Sequence, residues 1–372
     1  MATVAEGCWP MIAGVANVSR TVVFVAVLAA SIFLAPTLPA AGQTATNGDQ
    51  DAGSSSLAPL SAVLAEQYPT LRALVLARGT CVLFEYYRKD IGIETQSPVY
   101  SVTKSVLSIL VGIAVDEGYL RLDEKLSEIF PEEFDEGADP RAGDITVRDL
   151  LTKTEGFAES GEGVFKTSRL VAGKSQAWRW MLNRPVKYPA GTHFRYDGIG
   201  SDLLAVVLSK AIKQSAADFA RQKLFDPLHI DNYSWSADSE GYLHGETGLS
   251  LTARDMAKIG LLYLDHGRWG DAQIVSEQYV RDSTAGHNDG GPPVNARYGY
   301  QWWISETNAN LNAFFASGHQ SQLIYVVPER DLVASVAADT IPGGSPKFVN
   351  KVILPAVTGL SAPPSCATQF AK

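Results

Sequence analysis

The sequence predicts an α+β fold: an antiparallel sheet built from both chain ends, with flanking helices and a mostly helical insertion. Three observations carry this. Strand-like segments sit near both ends of the chain, helix signals fill the middle, and no internal repeat breaks the chain into units. With 372 residues, 46% hydrophobic and 19% charged, the chain is long enough for one large domain or two intimate ones around a substantial core.

The elements follow in order. Arg20 precedes an uncharged apolar run from Thr21 to Ala35, and Pro36 to Gly42 supplies small residues for cleavage. Residues 1–42 therefore read as a signal peptide of an exported protein, periplasmic or secreted, with an uncleaved anchor as the alternative. The run is short for a bilayer span of ~20 residues. Residues 43–60 are mostly small and polar and read as a flexible linker, 61–362 as the folded domain, and 363–372 as a tail. Leu71 to Leu76 and Val82 to Tyr87 flank Ala77-Arg78-Gly79-Thr80, a hairpin pattern. Thr146-Val147-Arg148-Asp149 and Thr252-Ala253-Arg254-Asp255 both open helices in capping-box form. Ser201 to Ile212 carries leucine and valine at helical spacing after a glycine-rich turn. Tyr298 to Ile304 reads as one strand, and Leu323 to Val327 and Leu332 to Ala337 flank the turn Pro328 to Asp331.

Composition excludes several functions. A net charge of −9, with no basic run, argues against nucleic acid or anionic lipid as a partner. Once the leader is removed, no membrane partner is expected. The histidines at 193, 229, 244, 266, 287 and 319 lack metal-ligand spacing such as H-E-x-x-H, so neither metal nor cofactor is expected. No G-x-S-x-G elbow occurs, which argues against an α/β-hydrolase. Removing the leader removes Cys8 and leaves Cys81 and Cys366, an even pair suited to an oxidising compartment. They form one bridge between the start and end of the fold, or remain two thiols.

The chemistry concentrates in Tyr100-Ser101-Val102-Thr103-Lys104-Ser105. Residues i and i+3 share a helical face, so the Lys104 amine lies beside the Ser101 hydroxyl. Val106 to Ala114 is apolar almost all round, as a buried helix is. A lysine at the edge of such a helix is partly desolvated, which favours its neutral, proton-accepting form. That is one route to a nucleophilic serine without histidine. It is the only S-x-x-K match in the chain.

Six segments in order extend the pattern: Tyr100 to Ser105, Ile145 through Gly156, Tyr188 through Asp202, Gly248 through Gly260, Tyr298 to Trp303, and Gly318 to Pro328. On these residues, the run from about Leu71 to Leu360 resembles the serine hydrolase family of class C β-lactamases, D-alanyl-D-alanine carboxypeptidases, related esterases and 6-aminohexanoate-oligomer hydrolases. The resemblance implies a β-lactamase/transpeptidase-like fold and an acyl-enzyme mechanism. Ser101 is implied as nucleophile, with Lys104 as its proton-accepting neighbour and Tyr196, in the position of the Y-x-N tyrosine, as proton carrier. It also implies an oxyanion hole between the Ser101 N–H and the strand Gly318-His319-Gln320-Ser321-Gln322, through the N–H of Ser321 or Gln322, with His319 orienting substrate.

Two departures bear on substrate. Gly198 stands where the family has asparagine, whose amide grips substrate, and Ser321 replaces a glycine. Both favour small esters or linear amides over β-lactams or peptidoglycan. The alternatives are a β-lactamase or carboxypeptidase of the same fold, and a degenerate member serving as an envelope binding or sensing domain. Trp178, Trp180, Trp302 and Trp303 are expected as pocket wall or core.

Overall fold

The computed structural model describes residues 54–135, 138–158, 176–358 and 370. The expected leader, most of the linker and all of the tail but Phe370 lie outside these. Helix α1 (Ser54–Gln67) begins inside the stretch expected as linker, which is therefore shorter than residues 43–60. The reason is apolar: Leu57, Leu60 and Leu64, at helical spacing, are buried against the sheet.

That sheet has eight antiparallel strands drawn from both chain ends. They are β1 (Leu71–Arg78), β2 (Cys81–Tyr87), β3 (Asn288–Gly291), β4 (Ala296–Tyr298), β5 (Trp303–Glu306), β6 (Asn312–Gly318), β7 (Gln322–Val327) and β8 (Leu332–Ala338). Their spatial order is β2-β1-β8-β7-β6-β5-β4-β3, so the N-terminal hairpin is inserted against the last strand. Both faces are covered. Along β1, Ala73, Val75 and Ala77 enter one core while Leu71, Leu74 and Leu76 enter the other. This period of two explains why the strand reads as nearly continuous hydrophobicity.

One face carries α1 and the C-terminal segment around Phe348 and Ile353. The other carries the helical core: α2 (Val102–Asp116), α3 (Val147–Thr152), α4 (Ile199–Ile212) and α5 (Ala253–Leu264). Helix α5 lies tight on β7 and β8, because Gly260 has no side chain. A Cβ there would sit 2.6 Å from Val333 and 2.9 Å from Ile324. The threonine caps form as expected. Thr146 and Asp149 exchange side-chain and backbone bonds, and the Asp255 N–H donates to Thr252 Oγ1 at 3.1 Å.

The expected strand Tyr298 to Ile304 is instead a hairpin: β4 ends at Tyr298, which pairs with Trp303 of β5. Gln301 turns the chain, with φ 63°. Its N–H donates to the Leu151 carbonyl and its buried side chain donates to the Leu150 carbonyl. These bonds to α3 outweigh the strand propensity of the aromatic run around them.

Cys81 is disulfide-bonded, which excludes the free-thiol alternative for this residue; the chain's other two cysteines lie outside the described residues. The Phe370 N–H donates to the Thr80 carbonyl at 3.0 Å, so the chain end returns beside the start of β2.

Candidate active site

Ser101 sits at the N-cap of α2, whose residues Val102 to Ala114 are all buried. The residue before it, Tyr100, has φ 47°, a left-handed conformation that non-glycine side chains rarely adopt. A small sheet holds it there: Ser97–Pro98 pairs with Leu249–Leu251, and the Val99 N–H donates to the Leu249 carbonyl at 2.9 Å. The same pairing brings the segment around Glu246 toward Ser101 and Lys104.

Lys104 is 1% exposed, and its Nζ donates to Ser101 Oγ at 3.0 Å and to the Glu246 carbonyl at 3.1 Å. Nζ also lies 3.9 Å from Glu246 Oε1 and 5.1 Å from the centre of the Tyr196 ring. The structure thus brings Ser101, Lys104 and Tyr196 together. Tyr196 is held by aromatic neighbours, Trp303 at 5.2 Å and Tyr298 at 6.0 Å between ring centres. Among the described residues no group hydrogen-bonds its hydroxyl.

These groups open into a cavity of about 910 Å³. Its lining includes Ser101, Tyr196, Glu246, Trp303, His319 and Ser321. Of the tryptophans, Trp303 forms wall, Trp302 and Trp178 are core, and Trp180 is exposed. The end of β6 presses on Ser101, since a Cβ on Gly318 would sit 3.3 Å from its nitrogen. The turn that follows is left-handed at Gln320 and Ser321. Ser321 Oγ accepts from the Ile341 N–H at 2.9 Å. His319 is exposed and stacks edge-on against Tyr100, whose hydroxyl donates to Gln320 Oε1.

Gln322 is drawn away from the site. Its N–H donates to the His319 carbonyl and its side-chain amide to the Gln320 and Ala338 carbonyls. It is not part of the cavity lining, so of the two amides expected to face the oxyanion, Gln322 drops out. The turn His319–Ser321 closes on that N–H and claims it first.

The sequence reading missed Glu246. Its carboxyl occupies the space that a side chain at position 198 would fill. A Cβ on Gly198 would lie 1.9–2.2 Å from the three carboxyl atoms of Glu246. Burial pushes the Glu246 carboxyl up, against the pull of Lys104. The Glu246 N–H donates to Asp202 Oδ1, and burial raises that carboxyl to about 6.

A further set of charges lies behind Tyr196. Burial pushes Asp197 up, yet Arg184, Lys153 and Arg195, with the Gly200 N–H, hold it below the usual carboxylate range. Arg184 and Arg195 both donate to Asp197 Oδ2, at 3.1 and 2.7 Å. Lys153, fully buried, donates to Ser201 Oγ at 2.6 Å, and burial lowers its affinity for a proton. Ser201 donates in turn to Gln301 Oε1. Among the described residues neither Glu155 carboxyl oxygen has a hydrogen-bond partner. The only sequence signal for this set was the string Thr152-Lys153-Thr154-Glu155 in a stretch otherwise reading as a helix end.

The family model described as Beta-lactamase matches residues 55–356. The chain belongs to that family. Among curated proteins, a 6-aminohexanoate-dimer hydrolase of Paenarthrobacter ureafaciens is 24% identical over 290 residues, 70% of each chain. Among solved structures, the penicillin-binding protein from Bacillus halodurans superposes with a TM-score of 0.62 at 17% identity, over 79% of this chain and 98% of that one. EstCE1, a hydrolase with promiscuous acyltransferase activity, does so at 0.65 and 17%, over 82% and 98%. This Beta-lactamase family member is a serine hydrolase, and its fold is that of the β-lactamases and transpeptidases.

The buried charges of this hydrolase generate a pH dependence of stability. Glu155 is pushed up to about 7, chiefly by burial and then by the Asp197 charge, from 4.5 in a solvated chain. The folded state binds this proton more tightly than the unfolded state. Its stabilising contribution is complete below about pH 4.5 and is lost as pH rises toward 7. Asp202 acts with the same sign at lower pH. The urea midpoint should therefore fall from pH 5 to pH 8, and Glu155→Gln should recover on the order of 3 kcal/mol of that fall. Equal slopes in the two proteins would exclude Glu155 as the source.

Proposed function

We propose that this serine hydrolase cleaves small esters or linear amides through an acyl-enzyme on Ser101. The observation that carries the reading is the buried Lys104 side-chain nitrogen, 3.0 Å from the Ser101 oxygen at the wall of an open cavity. In this reading Lys104 accepts or tunes the Ser101 proton, and Tyr196 passes a proton to the leaving group. The N–H of Ser101, at the start of α2, supplies one oxyanion donor. The second comes from the turn that ends at Ser321, which Gly318 packs against the Ser101 nitrogen. His319, on the cavity wall, orients substrate. A relative named for hydrolysis of the 6-aminohexanoate dimer, and a fold neighbour named as a hydrolase with acyltransferase activity, support linear amides and acyl transfer.

The nucleophile is tested by a fluorophosphonate probe. It should label Ser101 and fail on Ser101→Ala, while Lys104→Ala and Tyr196→Phe should fold and lose roughly 10²-fold or more in kcat. Labelling at a different serine would reject the assignment.

Substrate preference follows from position 198. An asparagine amide donates to an acylamino carbonyl, whereas here a carboxyl fills that space. Short-chain esters need only nucleophile, proton carrier and oxyanion donors. Their kcat/KM should exceed that of a chromogenic cephalosporin by about tenfold or more, the effect of one lost polar contact. Efficient cephalosporin turnover with negligible esterase activity would reverse the order.

The reading includes export, supported by the apolar leader and by the disulfide at Cys81. Mature protein should begin between Ala41 and Ala45, and peptide mapping without reductant should recover Cys81 linked to Cys366. An intact N-terminus on secreted protein would refute cleavage, and an alkylatable Cys366 would refute the pairing.

A further inference from the structure

Position 198 and position 246 form a steric pair. Gly198 leaves a space that the Glu246 carboxyl enters, from a loop that also carries the lysine's second acceptor. Its side chain is 5% exposed and forms part of the cavity lining. Among the described residues no donor hydrogen-bonds its oxygens; the nearest cation, Lys104, stops at 3.9 Å. Two Lys104 protons are already committed, to Ser101 Oγ and to the Glu246 carbonyl. The remaining charges around the carboxyl are Asp202, Lys153 and Asp197, all buried behind it and away from the cavity lining.

A carboxyl with unused acceptor capacity, almost wholly buried yet facing the substrate cavity, is costly unless something completes it. A carboxylate accepts hydrogen bonds and attracts cations; it repels the carbonyl oxygen of an acylamino group. The legs Oγ to Nζ, 3.0 Å, and Nζ to Oε1, 3.9 Å, bound its distance from the nucleophile. An ammonium one or two carbons from the scissile carbonyl bridges that span.

We infer that Glu246 is a substrate-binding residue that selects acyl groups carrying a free, protonated amine next to the scissile carbonyl, so that the preferred substrates are aminoacyl esters and amides with an unblocked amino group. This rests on the Ser101 reading above and narrows its substrate class. The ammonium hydrogen-bonds the Glu246 carboxylate, which fixes the carbonyl over Ser101, and no bond is made or broken at Glu246 itself. Acetylating the amine removes the charge and presents a carbonyl to the anion.

The test uses the full-length enzyme and three methyl esters followed by pH-stat: alanine methyl ester in both enantiomers, N-acetylalanine methyl ester and methyl propionate. For the unmodified enzyme, kcat/KM for the better alanine enantiomer should exceed those for the other two esters by tenfold or more. In Glu246→Gln the ratio of free-amine to blocked ester should drop at least tenfold. Ratios cancel any general effect of the substitution on Ser101 and Lys104. The exchange Gly198→Asn with Glu246→Gly should turn the preference toward the acetylated ester. A wild-type ratio near one, or one unchanged in Glu246→Gln, overturns the inference while leaving a working esterase; because the wild-type comparison needs no variant, a misfolding substitution cannot rescue it. Absence of turnover on all three esters, together with no probe labelling at Ser101, overturns both this inference and the Ser101 reading.

Discussion

The site depends on one buried nitrogen. Lys104 Nζ is shut away from water and keeps its place through the Ser101 oxygen and the Glu246 carbonyl. A buried ammonium without such partners would carry a desolvation penalty of several kcal/mol. The helix that presents it, α2, is therefore positioned as much by polar constraints as by apolar packing. Ser105 Oγ donates to the Gln301 carbonyl, and Ser108 Oγ bonds the Tyr279 hydroxyl. Ser105 and Ser108, in the buried stretch of this helix, are met from different neighbouring segments, so rotating the helix would break both bonds at once.

Behind Ser101, opposite charges are interleaved. Lys104, Lys153, Arg184 and Arg195 face Glu155, Asp197, Asp202 and Glu246. Such a cluster contributes little net stability, because desolvation offsets most of the Coulomb gain. What it fixes is geometry. Asp197 takes both guanidinium groups and the Gly200 N–H, and this ties the start of α4 to the strand-like segment carrying Tyr196. Tyr196 and Ser101 thus stand by separate helix starts, with buried charges near both.

Much of this was legible in the chain. The antiparallel sheet from both ends follows from alternating apolar runs flanking a helical middle, and Ser101 with Lys104 follows from i, i+3 spacing on one helix. Tyr196 needed the family resemblance, since a lone tyrosine has no local signature. Glu246 was illegible for a physical reason. It arrives 142 residues after Lys104 along the chain, carried by a loop, and only the folded backbone shows that it fills the gap left at Gly198. The strand Tyr298 to Ile304 looked continuous because aromatic side chains dominate it; bonds between Gln301 and α3 decide otherwise. Gln322 entered the oxyanion hole through the family resemblance, and the carbonyl that claims its N–H could not be read from that.

The fit between Gly198 and Glu246 makes mutational history directional. Any side chain added at 198 while Glu246 remains meets its carboxyl at 1.9–2.2 Å, so the Glu246 side chain must first leave that space. Shortening position 246 first opens space that water can fill, and a larger residue at 198 can follow. A lineage moving between an amide and an acid at this wall therefore passes through the open form, in either direction. The two positions, far apart in sequence, are thus coupled: 246 yields before 198 grows, and 198 shrinks before 246 grows.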